Sequence, residues 1–129
     1  MSDAAEERAR LERLVAERRG TLGEEHLATL SAILDLADRL WAEGRLIAAG
    51  KLEKQVVAGR RRILGEQHLD SLVAMGNLAA VLWQQGDRDE AYALQQHVVG
   101  LQRRVRGDGD RATRAAAEVL EMMERDSGF

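Results

Sequence analysis

The sequence LGEEHL at positions 22–27 recurs as LGEQHL at positions 64–69, a spacing of 42 residues. The repetition extends well beyond this segment, because aligning 22–65 with 64–107 gives 19 identical residues over 44 positions. A third copy begins at Gly107 and stops near its middle. A period of this length is typical of proteins in which one supersecondary unit is stacked several times.

Each complete copy predicts two helices joined by a short turn. In the first copy, apolar residues recur at three- and four-residue steps over 30–41 and again over 48–63, the spacing of one helix face. The glycines that end these helices, each predicted to adopt the left-handed conformation of a helix cap, are Gly44, Gly65, Gly86 and Gly107. The helices are predicted at 4–19, 26–43, 45–63, 68–85, 87–105 and 110–126.

A single helical hairpin cannot bury its apolar stripe alone, so consecutive hairpins are expected to stack around one core. The predicted fold is all-α: a short right-handed solenoid of helical hairpins with about six helices. It forms one domain over 1–129. Its parts are an N-terminal capping helix at 4–19, a first repeat at 22–63, a second repeat at 64–105, and a half repeat at 106–126 that serves as the C-terminal capping helix.

Composition excludes several other classes. The chain has 129 residues, 45% of them hydrophobic and 32% charged, enough for one core and too few for two domains. It has no cysteine, which excludes disulfide frameworks and thiolate metal sites. Four aromatic residues are too few for a β-sandwich or a stacking surface for nucleic acid, so no specific nucleic-acid partner is expected. An acidic N-terminus and the absence of an apolar run near twenty residues predict a cytoplasmic protein.

The second copy resembles a tetratricopeptide repeat (TPR), through the run NLAAVLWQQGDRDEA at 77–91. The 42-residue period, with a Leu-Gly-Glu-x-His connector before Thr29 or Ser71, is similar to the kinesin light chain type of this family. Leu27 and Leu69 stand where that type usually has proline, which predicts a less rigid connector. The first copy also departs from the family in the turn between its two helices. Asp-x-x-Glu is usual there, whereas this copy has RLIA at 45–48.

The resemblance implies a protein-binding scaffold, in which the first helices of the repeats line a concave groove for an extended peptide or a partner surface. Carried over by position, the groove residues are Ser31, Leu34, Asp35, Asp38, Trp41, Val73, Gly76, Asn77, Ala80, Trp83, Gln84, Glu118, Met122 and Arg125. Asn77 matches the family position whose amide holds a bound backbone. Asp35 and Val119 replace it in the other copies, so the resemblance implies one such clamp.

Trp41 and Trp83 occupy equivalent positions near the end of the first helix of each copy. Tryptophan is the residue type most often found at binding hot spots, so either could anchor a partner. The alternative is that both side chains pack between repeats, and the sequence leaves the two interpretations open.

Basic residues lie at equivalent positions at the end of each second helix. When the repeats stack, they are predicted to line up as a positively charged surface, called here the ridge. The ridge residues are Arg18, Arg19, Arg60, Arg61, Arg62, Arg103, Arg104 and Arg106. Such a ridge could receive an acidic partner, an anionic membrane surface or phosphates. Cations at helix C-termini are also favoured by the helix macrodipole, which explains them without any partner.

Histidines in the connectors have a structural and a chemical interpretation. His26 and His68 lie beside Glu24 and Glu66, but a metal site needs three or four converging ligands, and these residues lie about one repeat apart. Helix capping is the better explanation, and no metal is expected. His97 is interpreted as a lone surface histidine.

Two short motifs near the last connector have simple explanations. The tripeptides RGD at 106–108 and DGD at 108–110 are interpreted as a turn and a helix N-cap. Glycines also fall inside predicted helices, where they reflect either close helix packing or local fraying: Gly50, Gly59, Gly76 and Gly100.

The sequence shows no serine–histidine–acid set, phosphate-binding loop or paired carboxylates in an apolar setting, so no catalytic residue and no cofactor are predicted. The leading hypothesis is a non-enzymatic adaptor. Its sharpest form, built on the resemblance, is a short kinesin-light-chain-like protein, of the kind that accompanies bacterial tubulins, bound to a filament. One alternative is a membrane-recruitment or regulatory module that uses the arginine ridge. Another is a self-assembling structural protein, a homodimer whose seam is Ala116, Val119, Leu120 and Met123.

Overall fold

The computed structural model describes residues 3–127 and contains only helices over that range. The helices are α1 (Asp3–Leu22), α2 (Leu27–Ala42), α3 (Leu46–Leu64), α4 (Leu69–Gln85), α5 (Arg88–Arg106) and α6 (Arg111–Ser127). All six predicted helices are present, and their ends differ from the predicted ones by at most three residues.

Each helix packs mainly against the helices before and after it in the chain, which confirms the all-α solenoid. The apolar stripes predicted from the repeat form one continuous core between the helices. Its largest fully buried apolar side chains are Ile33, Leu72, Met75, Leu82 and Met123, with Val56, Val81 and Val99 between them. The core therefore runs through both repeats.

The connectors are held by side-chain hydrogen bonds at the helix starts. The Nδ1 atom of His26 accepts a hydrogen bond from the backbone N–H of Ala28, and His68 does the same for Asp70, each at 3.0 Å. Asp110 caps α6 through Oδ1, which accepts from Ala112 N–H at 2.8 Å. The predicted caps are confirmed, and they hold the segments in which proline is missing.

Glycine is required at the helix ends, though not always in the predicted conformation. Gly86 is left-handed, with φ 95° and ψ −1°, as expected for a cap after α4. Gly65 has φ 88° and ψ 155°, a conformation that remains open only to glycine but is not the left-handed helical one. The prediction is therefore correct for the end of the first helix and wrong for the end of the second, where the chain turns into an extended connector.

Two of the four glycines that were predicted inside helices lie against a neighbouring helix. A Cβ atom on Gly59 would stand 2.6 Å from Cδ1 of Leu30, and one on Gly50 would stand 2.6 Å from Nε2 of Gln85. Gly76 and Gly100 have no such neighbour within 4 Å. Close packing therefore explains the first pair only.

This contrast predicts opposite effects of the same substitution. Gly100→Ala is expected to raise the free energy of unfolding by about 0.5–1 kcal/mol, because alanine favours the helix and nothing obstructs its Cβ. Gly59→Ala is expected to lower it by about 1–2 kcal/mol, because the buried Leu30 must move. Urea titration of both variants checks the signs, and a gain in stability for Gly59→Ala would contradict the packing explanation.

Candidate functional site: the concave face

An apolar groove of about 410 Å³ opens between α4 and α6, the first helices of the second repeat and of the half repeat. The surface to which α2, α4 and α6 contribute is called here the concave face. The predicted groove residues that lie in it are Val73, Gly76, Asn77 and Ala80 of α4. Alanines of α6 form the opposite wall: Ala112, Ala115 and Ala116, followed by Val119. Small side chains on both walls leave space between the two helices for an extended chain.

The floor of this groove, formed by α5, consists of Gln95, Val98 and Gln102. Gln95 is buried there, and its Nε2 donates a hydrogen bond to the backbone carbonyl of Ala116 at 2.9 Å. Its Oε1 has no partner. Sequence reasoning missed Gln95, although a polar residue in the buried register of a helix is a detectable signal.

The α2 part of the concave face is acidic. Ser31, Asp35 and Asp38 are exposed, as predicted for groove residues, and Leu34 is half-buried against the core. Asp35 and Asp38 also line a cleft of about 350 Å³ between α1 and α2. Burial and the nearby Asp35 carboxylate raise the pKa of Asp38. This end of the face therefore differs in charge from the apolar groove between α4 and α6.

Glu53 of α3 lies at the position equivalent to Gln95, one repeat earlier. It is 0% exposed, and neither of its carboxylate oxygens has a hydrogen-bond partner among the residues that the structure describes. Burial and the Asp38 carboxylate raise the pKa of Glu53 to about 7, from 4.5, against the opposing effect of Arg60. Sequence reasoning missed this residue too, although a charged residue in a buried helical register is a signal that the repeat alignment exposes.

The two tryptophans are each half-buried against the core. Trp41 Nε1 donates a hydrogen bond to Oε1 of Gln84 at 2.5 Å, which ties α2 to α4. The guanidinium of Arg88 lies 4.4 Å from the centre of the Trp83 ring. Each ring therefore makes contacts within the protein and is also partly exposed to solvent.

Trp83→Ala tests how much of this contact is structural. We expect the free energy of unfolding to fall by about 1–2 kcal/mol, less than for a fully buried aromatic, because part of the ring faces solvent. Arg88→Ala, which removes only the cation above the ring, is expected to cost about 0.5 kcal/mol. Thermal unfolding measured by circular dichroism compares the two, and a loss above about 3 kcal/mol for Trp83→Ala would place the ring in the core.

The rest of the predicted groove lies on α6. Glu118, Met122 and Arg125 are exposed there. The proposed dimer seam on the same helix needs a correction, because Met123 is 1% exposed and packs into the core. Val119 is exposed and lines the groove together with Ala116. The four seam residues therefore do not form one free surface.

The predicted ridge arginines are mostly engaged in contacts that hold the connectors. The same ion pair, five residues apart in sequence, occurs three times: Arg19–Glu24 at 2.9 Å, Arg61–Glu66 at 2.7 Å and Arg103–Asp108 at 3.0 Å. Two arginines donate to backbone carbonyls ten residues further on: Arg18 to Ala28 at 2.8 Å and Arg60 to Asp70 at 3.1 Å. These contacts give the arginines a structural role.

The remaining ridge residues differ among themselves. Arg62 pairs with Glu25 at 2.5 Å, and Arg106 donates to Gln102 at 3.2 Å, whereas Arg104 has no hydrogen bond or ion pair within residues 3–127. The interpretation of His97 as a lone histidine is wrong, because its Nε2 lies 2.5 Å from Oε1 of Glu66. His97, with Arg61 nearby, lowers the pKa of Glu66.

One apolar surface was not predicted. Ile47 is 70% exposed at the start of α3, in the first-copy turn that departs from the family pattern. It lines a cleft of about 560 Å³ together with Gly44, Arg45, Leu46, Ala48, Gln84 and Gln85. Gln85 Nε2 donates to the Leu46 carbonyl at 2.7 Å, so the cleft is built by contacts between the repeats.

Over the described part of the chain, no group of three or more histidine, cysteine or acidic side chains is arranged to hold a metal ion. Within 3–127, none of the six helices is both long and apolar enough to cross a membrane.

Comparison with known proteins places this geometry in a family. The family model described as tetratricopeptide repeat matches residues 40–104, 65 of the 129 residues. No curated protein sequence matches the chain significantly.

Solved structures of two other proteins share the fold. The crystal structure of nearly identical TPR-like repeats from Podosopora anserina, described as a kinesin light chain, has a TM-score of 0.88 and 28% sequence identity. The alignment covers 97% of this chain and 59% of that one, so the present chain spans about three-fifths of the other. BtubC (BKLC) from P. vanneervenii has a TM-score of 0.86 and 16% identity, over 97% of this chain and 50% of that one.

Proposed function

Because this chain belongs to the tetratricopeptide repeat family, we propose that it is a non-enzymatic adaptor that binds an extended segment of a partner protein on its concave face. The proposed contact residues are the groove residues that the resemblance to the tetratricopeptide repeat assigns to α2, α4 and α6. The two tryptophans border the same face and add aromatic contacts at its edge.

The observation that supports this proposal is the groove between α4 and α6. Its walls are alanine, glycine and valine, and the half-buried Asn77 lies among them. An extended peptide needs both apolar contact along its side chains and a polar partner for its backbone. Asn77 offers an amide for that backbone.

We further propose that the partner belongs to the cytoskeleton, a tubulin-like filament in the cytoplasm. The support is the similarity to TPR-like repeats of a kinesin light chain, together with the 42-residue period. The direct test is co-sedimentation with polymerised tubulin at low salt. Absence of the protein from the pellet would count against this partner while leaving the adaptor proposal in place.

Blocking the groove with a long side chain tests whether peptides bind there. A library of displayed peptides is selected on the wild-type chain, and the affinity of a selected peptide is then measured for Ala115→Arg, which places a long side chain in the groove. We expect at least about a tenfold loss, since a blocked groove removes about 1.4 kcal/mol or more of binding free energy. Ala93→Arg adds the same charge at an exposed site on α5 and should bind normally. Equal affinities for both variants would contradict binding in the groove.

A further inference from the structure

The acidic end of the concave face has charge that the fold does not balance. Asp35 and Asp38 are one turn apart on α2 and exposed, and Glu53 is buried on the neighbouring helix α3. Within residues 3–127, none of the three carboxylates takes part in a hydrogen bond or an ion pair, and Glu53 is close enough to Asp38 to be affected by its charge. An unpaired buried carboxylate is costly and needs an explanation.

The arginines around this cluster are already engaged elsewhere. Arg10 binds Glu7 at 2.6 Å, and Arg39 lies 3.3 Å from a carboxylate oxygen of Glu43. Arg60 of α3 donates to the Asp70 carbonyl. Arg10 and Arg39 line the same cleft as Asp35 and Asp38, and the charge of Arg10 acts on Asp35. Within residues 3–127 neither arginine forms an ion pair with these two carboxylates, which leaves both available to another molecule.

The second repeat shows that the charge is not a requirement of the fold. At the positions equivalent to the three acids it carries Asn77, Ala80 and Gln95, all uncharged. Both versions occupy the same register of the same helical hairpin. The acids are therefore a property of the first repeat alone, as a local binding preference would be.

We propose that this acidic cluster binds the basic side chain, lysine or arginine, of the protein partner held on the concave face. The inference rests on the proposed function and names the chemistry recognised at one end of it. A metal ion is a poorer occupant, because the described residues hold no metal-binding arrangement of acidic groups. The ammonium or guanidinium would contact Asp35 and Asp38, while Glu53 behind them strengthens the field when it is ionised.

Binding of the cation should depend on pH. The charged groups that act on Glu53 are Asp38 from α2 and Arg60 of its own helix. The helix α4, which also packs against α3, carries one charged residue, Asp70, and its backbone carbonyl accepts a hydrogen bond from Arg60. Burial leaves Glu53 largely protonated at pH 6 and largely ionised at pH 8. Because lysine stays protonated across this range, its affinity should rise by about threefold between these pH values.

The probe is Nα-acetyl-lysine amide, titrated into the isotope-labelled protein at millimolar concentration and followed by amide chemical shifts. We expect saturable shifts around Asp35, Asp38 and Glu53, and none with Nα-acetyl-glutamate amide. Asp35→Asn/Asp38→Ala, which copies the second repeat, should abolish them. Glu17→Gln/Glu121→Ala removes the same charge from exposed positions elsewhere and should not. Glu53→Gln should keep binding and lose the pH dependence.

The result separates this inference from the proposed function. Absence of saturable shifts with the lysine probe, or equal shifts in the two double variants, would overturn the acidic site. If the selected peptides bind the groove but are unaffected by Asp35→Asn/Asp38→Ala, the adaptor proposal stands and the basic anchor is wrong. If no peptide binds while the lysine probe does, the proposed function fails and the cation site remains.

Discussion

Leu72→Ala is expected to lower the free energy of unfolding by about 3 kcal/mol, with little change in the shape of the native spectrum. Leu72 is 1% exposed on α4, which packs against α3 on one side and α5 on the other. Truncation removes transfer free energy and leaves a cavity between two packed interfaces. In a stacked-repeat fold, each hairpin depends on its neighbours for burial, so the loss weakens both interfaces.

The matched control is the next residue in the chain. Val73 is 46% exposed on the concave side of the same helix, so Val73→Ala is expected to change stability by no more than about 0.5 kcal/mol. Urea denaturation followed by circular dichroism gives both values on one scale. A similar loss for the two variants would show that α4 does not divide into a core face and a groove face.

Glu53→Gln is expected to stabilise the protein at pH 8 and to have little effect at pH 4. The folded-state pKa of Glu53 is raised to about 7 from 4.5, so the folded state holds this proton more tightly than the unfolded state. The stability contributed by the protonated form is present in full below the unfolded pKa and is lost as pH rises through the folded pKa. The wild type should therefore lose on the order of 3 kcal/mol, relative to Glu53→Gln, between about pH 4 and pH 8.

The opposite substitution can be made at the equivalent position of the second repeat. Gln95→Glu places a carboxylate where the amide of Gln95 now donates to the Ala116 carbonyl. It should be destabilised at pH 8 and should recover at pH 5, where a protonated carboxyl group can again donate. Urea titrations at a series of pH values measure both curves. Parallel curves for wild type and Glu53→Gln would show that Glu53 is not buried as a neutral acid.

Features that recur in both repeats could be predicted from the sequence. The helices, the histidine caps and the glycine ends recur every 42 residues, so the alignment of the two copies already contained them. Each depends on neighbours in the chain: Nδ1 of His26 needs only the amide two residues later. Local interactions of this kind can be recognised without knowing how the repeats stack.

Interactions that depend on how the chain folds back between helices were harder to predict. The arginines looked like a ridge because their spacing is regular, but their partners lie in the connectors and are set by the chain path. Met123 looked free for a dimer because no helix follows α6 in the sequence, yet it is buried against the core. The importance of Glu53 was missed because its burial is produced by helices on either side of α3.

The sequence by itself determined the repeated unit: two helices, a glycine-ended turn and a connector capped by histidine. These follow from periodicity and from the stereochemistry of single residues. Tertiary structure alone decided which charges of residues 3–127 remain without an ion pair: most ridge arginines are paired, whereas Arg104, Asp35, Asp38 and Glu53 are not. The physical reason is that the burial of Glu53 and the distances between side chains on different helices are set by how the helices pack, which no spacing along the chain encodes.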